Sequence, residues 1–176
     1  MISRSAHRSL AAITLAIVCA FPIASSFYIE HRRNVDESAI GEKMFPFTTT
    51  FADGEKFDFD SRRAKKLLLL FYSISCPHCR TEIVNLDSLY GIFSNELDVI
   101  GVCVDRFPGG AGWRDSIVPS FPVVVRNGFD LARSFKITAV PLLYCIDEGR
   151  VLRYRSSGEN TFHADSLLVA EFVGFH

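Results

Sequence analysis

The chain has 176 residues, of which 48% are hydrophobic, and a formal net charge of −1 at pH 7. This length suits one domain with a full hydrophobic core, but hardly two. A near-neutral chain without a basic stripe interleaved with aromatic residues is not expected to bind nucleic acid.

The first predicted element is an apolar segment near the amino terminus. Residues 1–8 include basic side chains, and no charged residue follows from Ser9 to Ile29. This stretch is about long enough to cross a bilayer, and it also fits a secretory signal peptide with a basic first region. Residues 1–29 are therefore predicted to be either a cleaved signal peptide or an uncleaved membrane anchor, and residues 30–43 a polar tether.

Residues 44–176 are predicted to form the folded domain, which begins with a β-hairpin. Two short apolar–polar runs within Phe45–Phe59 flank Asp53-Gly54, a dipeptide typical of tight hairpin turns. A basic turn at Ser61–Lys66 then leads into the next strand.

The stretch Leu67–Glu82, LLLLFYSISCPHCRTE, joins an apolar run to a helical pattern. Because the apolar run does not alternate with polar residues, it predicts a strand buried on both faces. After the motif Cys76-Pro77-His78-Cys79, apolar residues recur at helical spacing with polar residues between them. The apolar positions are Ile83, Leu86, Tyr90 and Phe93, and the polar ones are Arg80, Glu82, Asn85 and Asp87. The two cysteines are thus predicted where a central strand turns into a helix.

Strands and helices alternate in the rest of the chain. Leu97–Asp105 is predicted to be a second buried strand, parallel to the first through a right-handed crossover. The later predicted elements are a Pro/Gly loop at Phe107–Gly112, a short helix at Trp113–Val118, a strand at Pro122–Val125, a helix at Phe129–Phe135, a hairpin of Leu142–Asp147 with Arg150–Arg155, and a helix from about Thr161 to Val173.

The motif at the helix start has the composition of a two-thiol redox site. Pro77 suits the first helical position, where its missing N–H costs nothing, which puts Cys76 at the N-cap. Unpaired N–H groups and the positive end of the helix dipole favour a thiolate on Cys76. Cys79 can then attack a mixed disulfide at Cys76 and release the partner. His78, if protonated or donating a hydrogen bond, would stabilise the thiolate further.

Two other interpretations of the cysteine pair are weaker. A structural zinc site normally needs two more Cys or His ligands at suitable spacing, and the other cysteines and histidines stand alone in the sequence. A static disulfide across two intervening residues would be strained and therefore labile. The strand–motif–helix context favours redox chemistry.

The Leu67–Glu82 stretch resembles that of the TlpA/ResA-type thioredoxin-like proteins. It is preceded by FPFTTTFADGEKFDF and followed by ITAVPLLYCIDEGRVLRYRSSG, and the resemblance covers about Gly41 to Gly158. Members of this family are usually membrane-anchored thiol–disulfide oxidoreductases, including those that reduce apocytochrome c cysteines. The resemblance implies an α/β thioredoxin-like fold, with a central mixed sheet flanked by helices and an added N-terminal hairpin. Neither a cofactor nor a metal is expected.

The resemblance also assigns candidate site residues. It implies a cis Val140-Pro141 bond facing the cysteines, with the Val140 backbone pairing with an incoming polypeptide as a strand. Pro77, Val140 and Pro141 are therefore the expected substrate contacts. Glu82, six residues after Cys76, occupies the position of a family acid near the active site. A partly buried Glu82 could exchange a proton with Cys79, whereas an exposed one would be an ordinary helix residue.

The same fold separates the two remaining domain thiols, Cys103 and Cys145. It places the strand before Cys76 between the strands that carry them, so their separation is roughly 9.5 Å, or two strand spacings. A disulfide needs closer Cα atoms. Both cysteines are predicted to be small buried apolar residues.

Two departures from the family pattern leave the direction of electron flow open. Ser75 stands where the family usually has Trp, and His78 stands where it tends to have Pro. Cys-Pro-His-Cys resembles the motif of the oxidising DsbA proteins, although the rest of the chain favours a reductase. The expected protein is periplasmic or otherwise extracytoplasmic, anchored in the inner membrane by residues 1–29, with protein thiol or disulfide substrates and a membrane or periplasmic redox partner.

Two other functions remain as alternatives. A thiol peroxidase is suggested by Ser73, three residues before Cys76, which resembles the hydroxyl that peroxiredoxins place near their reactive cysteine. A copper-delivery protein would use Cys76, Cys79 and a distant histidine, although such proteins usually space their cysteines by three residues rather than two.

Overall fold

The computed structural model describes residues 40–61, 65–106 and 118–174, all within the unit Ile40–His176. The predicted leader at residues 1–29, the tether as far as Ala39, the Phe107–Gly112 loop and nearly all of the Trp113–Val118 helix lie outside the described residues. Among the described residues, no helix has both the length and the apolar composition needed to cross a bilayer.

The described ranges contain a five-stranded mixed sheet, a separate two-stranded hairpin and three helices. The elements are β1 Thr48–Thr50, β2 Lys56–Asp58, β3 Lys66–Tyr72, α1 Pro77–Phe93, β4 Leu97–Cys103, β5 Val123–Val124, α2 Gly128–Ser134, β6 Leu142–Ile146, β7 Leu152–Ser157 and α3 Phe162–Val173. The large sheet has the order β5-β4-β3-β6-β7. Strands β3, β4 and β5 are parallel, and β6 and β7 add antiparallel strands. The mixed sheet flanked by helices is thus confirmed, with element ends within two residues of those predicted.

Strand β3 is central because it is apolar on both faces. Leu68, Leu69, Leu70 and Phe71 are all 0% exposed. Side chains alternate along the strand, so Leu68 and Leu70 join the core that α1 and α3 cover, whereas Phe71 meets aromatic rings on the other face. Full burial of one such side chain stabilises the fold by about 1.5–3 kcal/mol. The cysteine motif follows the carboxyl end of this buried strand.

The predicted N-terminal hairpin is confirmed and packs through phenylalanine rings. Thr49 lies opposite Phe57 in the β1–β2 register, and Gly54 turns the chain with a φ of 95°. Phe47 stacks on Phe59 with ring centroids 4.8 Å apart and meets Phe135 edge-on at 5.6 Å. Phe135 in turn lies 5.3 Å from Phe71 of β3. We call Phe47, Phe59, Phe71 and Phe135 the aromatic cluster; it joins the hairpin to the sheet face opposite α1.

Cys103 and Cys145 are separated as expected. Strand β3 lies between β4 and β6, with Tyr72 opposite Cys103 and Leu68 opposite Cys145. Both thiols are free and at most 1% exposed, which confirms that they are buried core residues. Burial also raises the pKa of Cys103 to about 12 and that of Cys145 further, so neither thiol is ionised at neutral pH.

Candidate active site

Cys76 occupies the N-cap of α1, as the sequence predicts. Its backbone is extended (φ −87°, ψ 115°), and Pro77 begins the helix. The Cys76 Sγ accepts a hydrogen bond from the Cys79 backbone N–H at 3.4 Å, which satisfies one of the free donors of the first turn. Within the fully described α1, the first turn has no acidic side chain. The Cys76 sulfur is therefore the side-chain group that caps the positive end of this 17-residue helix.

The two thiols differ sharply in exposure and acidity. Cys76 is half-buried and free, whereas Cys79 is free and 0% exposed. Burial, assisted by its hydrogen bond with Cys76, raises the pKa of Cys79 to about 12. Cys79 thus keeps its proton until a base removes it, so an external disulfide meets Cys76 first.

The Val140-Pro141 bond is cis and faces Cys76, in agreement with the expectation from the resemblance. The Cys76 Sγ lies 4.0 Å from the carbonyl oxygen of Val140. Pro141 is buried and Val140 is half-buried. Residues 64 positions apart in the chain therefore form one site, with a partly accessible backbone beside the attacking sulfur.

His78 is engaged by a residue that the sequence did not single out. Its Nδ1 lies 2.5 Å from Oε2 of Glu159, which belongs to the segment between β7 and α3. Both side chains reach solvent, with exposed fractions of 68% for His78 and 41% for Glu159. The only role predicted for His78 was to act on the Cys76 thiolate, whereas the structure shows its Nδ1 hydrogen-bonded to Glu159.

Glu82 is buried, so of its two predicted alternatives the structure favours the buried carboxylate over the exposed helix residue. Only 1% of it is exposed, because the β7–α3 segment covers this side of α1. Oε2 accepts a hydrogen bond from the Asn160 backbone N–H at 3.1 Å, and Oε1 has no hydrogen-bond partner among the described residues. Burial raises the pKa of Glu82 to about 7; the Asn160 bond opposes the rise and the nearby Asp165 charge adds to it. An acid with this pKa can hold or release a proton at physiological pH.

A polar cluster extends behind Glu82. Asn85, one of the polar residues between the apolar positions of α1, is buried and donates to Asp165 Oδ2 at 2.9 Å and to the Asn160 carbonyl at 3.2 Å. The Asn160 side chain donates to Asp165 Oδ1 at 2.9 Å. Burial raises the pKa of Asp165, which is 0% exposed, although both of its oxygens accept hydrogen bonds from these amides. This cluster fixes α1 against α3 and the segment between β7 and α3.

Asp105, which was not predicted as a site residue, holds the turn before Cys76. Its Oδ1 accepts from the Ser73 hydroxyl at 2.8 Å, and its Oδ2 accepts from the Ile74 backbone N–H at 2.7 Å. The Ser73 hydroxyl on which the peroxidase alternative rested is therefore bound to a carboxylate. The available signal was that Asp105 follows β4, whose carboxyl end lies beside that of β3 in a parallel pair.

In the described ranges, no group of three or more His, Cys, Asp and Glu side chains is arranged to hold a metal ion.

A mixed sheet, an N-cap cysteine, a buried second cysteine and a facing cis-proline together define a class, the thioredoxin-like thiol–disulfide oxidoreductases. The chain belongs to the AhpC/TSA family, whose sequence model matches residues 40–155.

Comparison with individual proteins confirms the resemblance to the TlpA/ResA type. The thiol–disulfide oxidoreductase ResA of Halalkalibacterium halodurans is 23% identical over 155 residues, which cover 83% of this chain and 85% of that protein. The crystal structure of StoA from Bacillus subtilis has a TM-score of 0.59 at 18% identity, covering 76% of this chain and 98% of that one. The thioredoxin domain of a thiol–disulfide oxidoreductase from Bacteroides vulgatus has a TM-score of 0.61 at 20% identity, covering 77% and 99%. The fold is therefore thioredoxin-like.

Proposed function

We propose that this protein exchanges disulfides with protein substrates outside the cytoplasm, through Cys76 and Cys79, and that it acts as a reductase. The observation that carries the proposal is the asymmetry of the two thiols. Cys76 is accessible at the N-cap of α1, 4.0 Å from the carbonyl oxygen beside the cis-proline, whereas Cys79 is completely buried behind it. One sulfur is placed to meet a substrate and the other to finish the exchange.

The reaction has two exchange steps. The Cys76 thiolate attacks one sulfur of a substrate disulfide, so a mixed disulfide forms and the other substrate sulfur leaves as a thiolate that takes up a proton. Cys79 loses its proton and attacks the Cys76 sulfur, and the second substrate sulfur leaves as a thiolate. The substrate gains two electrons, and the enzyme ends with a Cys76–Cys79 disulfide. A donor thiol pair then reduces that disulfide by the same steps in reverse.

Glu82 is proposed to be the base that accepts the proton of Cys79. The Cys79 thiol, with its raised pKa, needs such a base, and a carboxyl group with a pKa of about 7 can serve at neutral pH. Glu82 lies one helical turn after Cys79 and is buried on the same helix. Its carboxylate has one oxygen without a hydrogen-bond partner among the described residues, so it can accept a proton there.

Substrate binding is proposed to use the backbone beside the cis-proline. The half-buried Val140 would pair with an extended substrate segment as an added strand, which binds polypeptides through their main chain. The exposed Pro77 would contact the same segment from the other side of Cys76. This mode of binding suits protein substrates of varied sequence.

The sequence and its relatives support a direction of electron flow and a place of action. Several relatives are named ResA, which supports a reductase, whereas the Cys-Pro-His-Cys motif suggests an oxidase. We propose that residues 1–29 anchor the protein in the inner membrane with the domain on the periplasmic side. A membrane or periplasmic thiol donor would supply electrons, and apocytochrome c cysteines are the proposed substrates.

The test is the reduction potential of the full-length protein, measured by equilibration with glutathione, together with the reduction of a disulfide-bonded peptide. A potential well below that of the glutathione pool supports a reductase, and one well above it means an oxidase. Cys76→Ser should abolish peptide reduction. Cys145→Ser, which changes a buried thiol of β6 in the core that α1 and α3 cover, is the matched control and should retain it. Full activity in Cys76→Ser would refute the proposal.

A further inference from the structure

The short segment between β7 and α3 contacts three parts of the active site. We call residues 158–160 the β7–α3 connection. The Gly158 N–H donates to the Pro141 carbonyl at 2.9 Å. Glu159 is paired with His78, and the Asn160 N–H donates to Glu82. Three consecutive residues thus reach the cis-proline, one of the two residues between the cysteines, and the buried acid.

The Glu159 contact determines what the His78 ring can do. A carboxylate only accepts hydrogen bonds, so the His78 Nδ1, 2.5 Å from Glu159 Oε2, must carry the proton. In a neutral imidazole the other nitrogen, Nε2, is then an acceptor without a hydrogen. Such a ring has no N–H left to donate to a thiolate. If the ring is doubly protonated, the Glu159 charge beside it compensates the positive charge.

Glu159 therefore opposes the thiolate stabilisation that a histidine in this position would otherwise give. A less stabilised thiolate makes the reduced form of the cysteine pair less favourable. We propose that Glu159 is a positioning residue which, through His78, makes the Cys76–Cys79 couple more reducing than the same motif with an unpaired histidine. This inference rests on the proposed disulfide-exchange function, and it explains how a Cys-Pro-His-Cys motif can serve a reductase.

The experiment must separate this route from a direct effect of the Glu159 charge on Cys76. Full-length wild type, Glu159→Gln, His78→Ala and the double variant are equilibrated with reduced and oxidised glutathione, and the fraction in the dithiol form is measured. Glu148→Gln is the matched control, because Glu148 is an exposed acid in the β6–β7 turn, at the opposite end of β6 from Pro141. The pH profile of Cys76 alkylation is recorded for each variant.

We expect Glu159→Gln to shift the glutathione equilibrium about threefold toward the dithiol, since exposed pairs have modest energies. For a two-electron couple, this is about 14 mV toward a more oxidising potential. The alkylation profile should move to lower pH. Neither change should occur when Glu159→Gln is made in the His78→Ala background or when Glu148 is replaced.

Each other outcome overturns the inference in a distinguishable way. An equal shift in the His78→Ala background means that Glu159 acts directly on the sulfur. No shift in Glu159→Gln alone means that it does not tune the couple, while the proposed function stands. A wild-type protein that does not cycle between dithiol and disulfide overturns the proposed function and this inference together.

Discussion

Replacing Glu82 with Gln should make the stability of the protein depend less on pH. The pKa of Glu82 rises from 4.5, its ordinary value, to about 7 because the carboxyl group is buried. A carboxyl group whose pKa is higher in the folded state binds its proton more tightly there than in the unfolded chain. Below pH 4.5 the carboxyl group is protonated in both states, so its burial does not lower the free energy of unfolding by ionisation. As the pH rises from about 4.5 to about 7, the free energy of unfolding falls.

The size of that loss follows from the two pKa values. At about 1.4 kcal/mol for each pH unit between them, ionising Glu82 lowers the free energy of unfolding by on the order of 3 kcal/mol. Gln has nearly the shape of a protonated Glu and can still accept the hydrogen bond from the Asn160 N–H. The Glu82→Gln variant should therefore match the wild type at pH 4.5 and exceed it by about 3 kcal/mol at pH 8.

Urea unfolding of the reduced full-length protein at a series of pH values measures this difference. Glu96→Gln is the control, because Glu96 is exposed and its replacement should leave the pH dependence unchanged. A gap between Glu82→Gln and wild type that stays constant from pH 4.5 to pH 8 would refute the conclusion that burial governs this carboxyl group.

In the same variant, disulfide reduction should slow at the step in which Cys79 attacks, as followed by stopped-flow decay of the mixed disulfide.

Three further predictions concern packing, the order of the sulfur chemistry and the turn before the motif. Gly128→Ala should destabilise the protein by about 1–3 kcal/mol in urea unfolding, because a Cβ there would lie 2.0 Å from a backbone oxygen at the end of β4. Gly91→Ala is the control: a Cβ there would have no neighbouring atom within 4 Å, so the change should be neutral or stabilising by up to about 1 kcal/mol. Cys79→Ser should accumulate a mixed disulfide between Cys76 and a substrate peptide, visible by non-reducing electrophoresis, and failure to accumulate it would contradict the assigned order of attack. Asp105→Asn should lower the free energy of unfolding by about 1–2 kcal/mol and slow peptide reduction, since an amide can accept at only one of the two positions that hold the turn; unchanged kinetics would show that the turn does not depend on it.

The central part of the fold and the position of the two cysteines could be predicted from local sequence. An uninterrupted apolar run predicted the buried β3, Pro77 predicted the start of α1, and Asp53-Gly54 predicted the hairpin turn. Each of these depends on neighbouring residues, for which spacing and backbone preference are informative. The roles assigned to Glu82, His78 and the substrate contacts remain predictions.

The contacts that complete the site could not be predicted in the same way. His78 and Glu159 are 81 residues apart, and Asn85 and Asp165 are 80 apart. Helical periodicity placed Glu82 and Asn85 between the apolar positions of α1, but it cannot show that another segment covers them. Only the folded arrangement of α1, α3 and the β7–α3 connection makes these polar residues part of the interior.

The aromatic cluster has a practical consequence for anyone who shortens this protein. Phe47 and Phe59 of the hairpin pack with Phe71 of β3 and with Phe135 at the end of α2. The hairpin is therefore part of the hydrophobic interior. A version trimmed to begin at Lys65 would keep both cysteines and all five strands of the large sheet. It would, however, expose the rings of Phe71 and Phe135 to water. Such a fragment should aggregate in solution, whereas one that begins at Ile40 retains the hairpin that covers these rings.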